Sequence, residues 1–244
     1  PFTVQEIAVA LKGTNKPVLV KNPVNPDLAL WIGALERLLG QDLKNLGVIH
    51  RGFSSYQKTK YRNLPNWQIA LDFKHQYPNI PMFVDPSHIC GRRDLLSDVT
   101  QEAFNVGYEG AMIESHCNPD AAWSDAAQQI TPEVLAEMLG NLQIRNSDIS
   151  GFDEEMGKHR ALISDIDFQL IELLSNRMKI SEKIGALKKE NNIAIFQPDR
   201  WKVIAEYASA RAEESGMGKD FIEKVFKAIH EESIEVQNNI MIDK

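Results

Sequence analysis

Between Asp153 and Glu190 the chain carries one helical pattern of about 38 residues, with an apolar stripe at Ile163, Ile166, Leu170, Leu173, Ile180, Ile184 and Leu187. This three-and-four spacing is that of a buried face. At 1.5 Å per residue the helix would run about 57 Å, too long for a compact domain of this size to bury alone. The stripe therefore predicts a dimer of intertwined helices.

Polar residues stand where these helices should be apolar. Arg177 falls on the stripe, and Lys188, eleven residues on, returns to within about 20° of it. The last helix, predicted from Asp220 to Ile240, places Ser233 and Gln237 on the stripe begun by Ile222, Phe226 and Ile229. After Gln197-Pro198 a further helix restarts with Pro in its favoured first turn, and Arg200 shares a stripe with Val203, Ile204, Tyr207 and Arg211. One Arg or Lys at the edge of a core is most often a snorkelling side chain. Several cations with no acid on their stripes are a different case, because unpaired charge in a core is costly. They predict a ligand with two or more carboxylates.

In type and spacing, Arg160, Arg177, Lys188, Arg200, Ser233 and Gln237 resemble the motif of the all-helical chorismate mutase class, a three-helix fold, over residues 153–244. The resemblance implies that Arg160, Arg177 and Arg200 hold the substrate mainly through its carboxylates, that Lys188 and Gln237 reach its ether oxygen, and that Ser233 completes the cluster. Arg160 lies seventeen residues before Arg177, about 100° around the helix, so a partner chain is expected to supply it. Two positions depart from the family pattern: Gln197 and Trp201 stand where an Asp and a Glu commonly flank the Arg200 position. Trp cannot accept a hydrogen bond, which leaves Gln197 as the nearest replacement acceptor for the substrate hydroxyl and predicts a weaker mutase. The residue types suit the reaction. Rearranging chorismate to prephenate needs no nucleophile, general base, metal or other cofactor, only a substrate held in a chair-like conformer with donors where charge develops on the ether oxygen.

Residues 1–142 read differently. β-rich runs at Pro17–Val20, Gly47–His50, Pro81–Val84 and Ala111–Ile113 alternate with helical patterns at Leu28–Leu39, Trp67–Gln76 and Thr100–Val106, which predicts a parallel sheet of βα units. Polar residues follow each strand: Lys21-Asn22-Pro23, Arg51-Gly52-Phe53, Asp85-Pro86-Ser87-His88 and Glu114-Ser115-His116. One such loop proves little, but four in succession mark the rim where a βα barrel carries its active site. Their types suggest a phosphate site at Lys21 and Arg51 beside a metal site built from His88, Glu114 and a later carboxylate. The run, with Asp125 downstream, resembles the shorter class of 3-deoxy-7-phosphoheptulonate (DAHP) synthases, which condense phosphoenolpyruvate with erythrose 4-phosphate. That resemblance implies that Lys21 and Arg51 bind phosphoenolpyruvate and that His88, Glu114 and Asp125 are ligands of a divalent metal, with Asp120 a weaker competitor for the third position. A related synthase making an octulosonate 8-phosphate shares this logic; attachment to a chorismate mutase favours the DAHP reaction.

An eight-fold barrel takes about 250 residues, and this chain opens at Pro1, on the approach to what resembles the fourth strand. The expectation is the C-terminal part of a (β/α)8 barrel at 1–142, a linker at 143–152 and the mutase domain at 153–244, with an N-terminal portion of the barrel preceding the sequence. Cys90 and Cys117 are expected to be free thiols near the rim, Cys117 close enough to Glu114 to be weighed as a metal contact. With 27 basic against 34 acidic residues and a pI near 5.4, the chain has no global basic field for nucleic acid. Two cysteines and no long apolar span point to the cytoplasm and away from a membrane. Two function classes remain: a bifunctional shikimate-route enzyme, or a synthase whose helical domain chiefly senses prephenate or chorismate and regulates the barrel.

Overall fold

The computed structural model describes residues 2–56, 58–145 and 152–242. The chain divides into two compact units, Pro1–Ile149 and Ser150–Lys244. Most of the expected linker, residues 146–151, lies outside the described residues.

The first unit opens with helix α1 (Phe2–Leu11), which the sequence pattern did not single out. Strand β1 (Val18–Lys21), helix α2 (Leu28–Leu39), strand β2 (Leu46–His50), helix α3 (Trp67–Gln76) and strand β3 (Met82–Val84) follow. Next come the short helix α4 (Pro86–Cys90), helix α5 (Leu96–Asn105), strand β4 (Gly110–Ala111) and helix α6 (Pro132–Asn141). The four strands form one sheet in the order β1-β2-β3-β4, every pair parallel, with Val18 opposite Leu46, Val48 opposite Met82 and Phe83 opposite Gly110. Parallel pairing demands a crossover between strands, and the intervening helices provide it. β2 is buried along its whole length, whereas edge strand β1 alternates half-buried and exposed residues. Trp31, Leu35 and Leu38 of α2 and Phe73 of α3 are buried with Val48, Met82 and Val84 of the sheet in one apolar cluster. Asp27 caps α2 by accepting from the Leu30 amide, and Asp85 caps α4 by accepting from the His88 amide.

Three helices make up the second unit among the described residues: α7 (Asp153–Glu190), α8 (Pro198–Glu214) and α9 (Lys219–Ile242). The apolar stripe of α7 is not buried within the chain. Ile163, Ile166, Leu170, Leu173, Ile180, Ile184 and Leu187 are all exposed, and the buried residues of the helix are Ser181 and Gly185. They lie about 60° and 100° around the helix from the centre of the stripe, and Gly185 faces α9. Helix α8 shows a similar shift, burying Ala208 and Ala212 while Val203 and Tyr207 of the expected stripe stay exposed and Arg211 pairs with Glu214. Small side chains mark these contacts because they let backbones approach. A Cβ on Gly185 would lie 3.2 Å from the Cα of Gln237, tighter than packed atoms normally tolerate.

Candidate functional site

In the helical unit, α7 contributes Arg177, Ser181, Ile184 and Lys188 to a cavity of about 230 Å³, α8 contributes Arg200 and Ile204, and α9 contributes His230, Ser233, Ile234 and Gln237. Ile195 and Gln197, just before α8, complete the wall. Every mutase-site residue expected from the sequence is therefore at this one cavity except Arg160. Arg160 is exposed on α7, and seventeen residues place it roughly 26 Å along the axis from Arg177.

The cations are hydrogen-bonded but not neutralised. A guanidinium nitrogen of Arg177 donates to the Ser233 hydroxyl and, at 3.4 Å, to the carbonyl of Ile229. Ser233 in turn donates to the Ile229 carbonyl at 2.8 Å, which fixes the hydroxyl so that its lone pairs face Arg177. Lys188 donates to the Ile195 carbonyl at 2.6 Å. Neither Arg177, Lys188 nor Arg200 has a carboxylate partner among the described residues. Burial pulls the Arg177 guanidinium below its ordinary pKa and the nearby charge of Arg200 adds to this; burial alone does the same to the Lys188 ammonium.

Two buried polar atoms in the wall lack partners, Oε1 of Gln237 and Nε2 of His230. His230 was not singled out in the sequence, although its spacing of three before Ser233 and seven before Gln237 places it on their face of α9. Its ring stacks on Trp201, with centroids 4.4 Å apart and planes 19° from parallel. Burial, Arg177 and Lys188 lower its pKa, against an opposing contribution from Glu231.

In the first unit the polar residues collect at the C-terminal ends of the strands. Lys21, closing β1, forms a 2.9 Å ion pair with Asp85, which follows β3 and is almost wholly buried. Asn22 is buried between the strand ends: it donates to the Gly52 carbonyl at 2.8 Å and accepts from the Arg51 amide at 2.6 Å. Arg51 is thereby held beside Lys21's loop, and its buried Nε has no partner. His88, Glu114 and Asp125 offer ligand atoms that all lie within 4.8 Å of one another. Nδ1 of His88 is 2.9 Å from Asp85 and 3.7 Å from Glu114, contacts that orient the ring. Asp125 has left-handed backbone at φ 49°, a conformation that Asp and Asn adopt more readily than other residues with side chains.

Arg62 and Gln128, neither expected, tie the carboxylates together. Arg62 donates to Asp125 at 3.0 Å and to Gln128 Oε1 at 2.8 Å, and Gln128 Nε2 donates to Glu114 at 2.8 Å. Asp120 instead pairs with Arg93 at 2.7 Å. Cys117 is exposed and stands outside the three-ligand group, while Cys90 is buried, its thiol pushed up to about 12 chiefly by burial; both are free.

Residues 3–149 match the DAHP synthetase I family and residues 159–238 match chorismate mutase type II. The chain belongs to the DAHP synthetase I family. Among curated relatives, it is 28% identical to the phospho-2-dehydro-3-deoxyheptonate aldolase of Thermotoga maritima over 53% of this chain and 38% of that one. It is 28% identical to the T-protein of Haemophilus influenzae over 36% of this chain and 23% of the relative. A 2-dehydro-3-deoxyphosphooctonate aldolase of Pseudomonas putida is also 28% identical, over 60% of this chain and 55% of its own. The chain thus spans between about a quarter and about half the length of these relatives. The fold of a truncated 3-deoxy-D-arabino-heptulosonate 7-phosphate synthase from Thermotoga maritima superposes with a TM-score of 0.51 at 24% identity, covering 63% of this chain and 55% of that one. A family of synthases and a mutase family on one chain support a bifunctional reading over one in which the helices only sense a ligand.

Proposed function

We propose that the helical unit is a chorismate mutase and that the first unit is the C-terminal part of a DAHP synthase barrel, two activities of the aromatic biosynthetic route on one cytoplasmic chain. The observation that carries the mutase reading is the cavity's charge. Three cations without carboxylate partners among the described residues converge there with Ser233 and Gln237, which is complementary to a small dicarboxylate. Arg177 and Arg200 hold the substrate carboxylates, and Ser233 fixes the Arg177 guanidinium. Lys188 donates to the ether oxygen as its bond breaks. The Gln237 amide joins it, since a half-turn about its last bond carries the NH₂ group to the orphaned Oε1 position. Nothing in this set needs to take or give a proton. Its contribution is to hold the reactive conformer and meet developing charge with preorganised donors.

Arg160 enters through a second copy of the chain. It is too far along α7 to serve its own cavity, and the exposed apolar stripe beside it is far larger than single scattered surface residues. A homodimer through α7 covers that stripe and brings the partner's Arg160 to the cavity.

In the first unit, Lys21 and Arg51 are placed to bind the anionic groups of phosphoenolpyruvate, with erythrose 4-phosphate as the second substrate. His88, Glu114 and Asp125 fit a divalent metal: one nitrogen and two carboxylates close together, the imidazole oriented by Asp85. The metal would supply Lewis-acid polarisation of the acceptor carbonyl. Both cysteines are free, and among the described residues no helix is long and apolar enough to cross a membrane.

The test is chorismate consumption by the purified chain and by its Lys188→Ala variant. Removing one donor of this kind costs about 2.7–4 kcal/mol, or 10²–10³ in kcat. We expect that loss with unchanged helical content. Near-normal turnover by the variant would refute the site, and no turnover by the parent chain would return the helices to a sensing role.

A further inference from the structure

We infer that His230 is a ligand-contacting residue of the mutase cavity, its Nε2 hydrogen-bonding the ring hydroxyl of chorismate and so discriminating for that group. The inference rests on the mutase reading above and goes beyond the residues that reading uses.

Geometry carries it. His230 lines the same cavity as Arg177, Lys188, Arg200 and Gln237. Its ring is stacked on Trp201 and packed against Phe196 at a centroid distance of 6.1 Å, so the plane of the imidazole is set before any ligand enters. Nε2 is buried and unpartnered. A polar atom in that state calls for a partner that the described residues do not supply.

Chemistry selects the ligand group. Chorismate offers two carboxylates, an ether oxygen and a hydroxyl. The cations take the carboxylates, and Lys188 and Gln237 take the ether oxygen, which leaves the hydroxyl to the other polar side chains of the wall, Gln197 and His230 among them. Of these, Nε2 of His230 is the buried atom without a partner among the described residues. A neutral imidazole presents either an N–H or a lone pair at Nε2, and a hydroxyl both donates and accepts, so the two pair whichever tautomer is present. A carboxylate could pair with only one of them. The charged groups around the ring favour the neutral form: Arg177 and Lys188 on α7 oppose its protonation together with burial, Arg200 on α8 adds a further cation to the cavity, and Glu231 on α9 is the one opposing charge. Trp201, which stands where the related mutases commonly carry a carboxylate, has no acceptor to offer. Its indole face instead supports the imidazole.

Three proteins and two substrates test this. His230→Phe preserves a ring against Trp201 and removes the nitrogen, whereas His230→Gln restores a hydrogen-bonding group at similar reach. kcat and KM would be measured for chorismate and for its analogue lacking the ring hydroxyl. We expect His230→Phe to lose roughly ten-fold in kcat/KM for chorismate, the equivalent of one hydrogen bond, and to be unchanged toward the analogue, with His230→Gln recovering most of the discrimination. A merely structural role would lower both substrates alike. If the phenylalanine variant keeps the parent's preference for the hydroxyl, the inference is wrong. Should that variant fail to fold, the imidazole ¹⁵N signals of His230 in the unmodified chain decide: they shift on saturation with prephenate, and signals that stay in place overturn the inference. No turnover of either substrate by the parent chain would defeat the mutase reading and this inference with it, whereas turnover with unaltered discrimination defeats the inference alone.

Discussion

His50 should make the first unit lose stability as the pH falls through a range where most proteins are indifferent. The residue ends β2 and is fully buried. Its Nε2 lies 2.6 Å from the Pro65 carbonyl and its Nδ1 lies 2.9 Å from the Tyr108 hydroxyl. This pattern fits one neutral tautomer, with Nε2–H donating to Pro65 and Nδ1 accepting from Tyr108, and leaves no place for a second proton. Burial lowers the imidazole from 6.5 to about 4, against smaller opposing contributions from the Pro65 hydrogen bond and Asp85. The folded group therefore binds fewer protons than the unfolded one between those two values, and its contribution to stability is complete above the unfolded pKa and lost as the pH drops toward the folded one. At about 1.4 kcal/mol per pH unit the full loss is on the order of 3 kcal/mol, of which about 2 is gone by pH 5. Trp31 and Trp67 report on the region directly, their rings centred 6.2 and 5.3 Å from that of His50. Denaturant unfolding followed by tryptophan fluorescence at pH 7.5 and pH 5 should show a drop about 2 kcal/mol larger for the parent chain than for His50→Gln, which cannot take up the proton. Equal drops in the two proteins, or an NMR titration of His50 with a midpoint above 6, would refute the reasoning.

Two further outcomes bear on the sites. If each mutase cavity borrows Arg160 from its partner, mixing inactive Arg160→Ala and Lys188→Ala chains 1:1 and allowing subunit exchange should restore about a quarter of the parent activity, because half the dimers are mixed and each has one intact cavity; no recovery after confirmed exchange means that each chain builds its own site. In the first unit, Mn²⁺ binding measured by calorimetry should be abolished by His88→Ala and weakened about 10–100-fold by Asp85→Asn, which leaves the ligands in place but releases the imidazole. Unchanged affinity in both variants would remove His88 from the metal site.

The long helix was legible to its ends because its signal is local and sustained: Asp153 and Glu190 bound both the sequence pattern and the observed element. The strands emerged within a residue or two, their β-branched runs being short but flanked by clear breaks. Periodicity located the apolar stripe of α7, which this chain leaves exposed; the expectation of a partner chain came from the length of the helix, since a repeat identifies which side chains prefer burial and carries no information about which chain supplies the cover. The residues actually buried, Ser181 and Gly185, read as gaps in an apolar pattern although smallness is what fits Gly185 for its close contact with α9. His230 was findable, lying on the face of Ser233 and Gln237. Arg62 and Gln128 were not: their links to Asp125 and to each other span 63 and 66 residues between loops, where no repeat governs which side chains meet.

On the proposed mutase reading, Arg177 and Lys188 illustrate how a cavity can be prepared for a dianion without collapsing around its own charges. Carboxylate partners would have stabilised these cations in the empty protein, but at the cost of the field that attracts a ligand, because each internal pair would have to be broken before the substrate could take its place. Their partners are instead a hydroxyl and backbone carbonyls. These satisfy the hydrogen-bonding geometry of each donor while leaving its net charge intact. Burial lowers the affinity of both groups for their protons, and on the proposed reading a bound anion would offset that penalty. On this arrangement binding and catalysis draw on the same feature. Donors already oriented and only partly solvated need no reorganisation when negative charge shifts onto the ether oxygen, so their stabilisation is available to the transition state rather than consumed in reaching it.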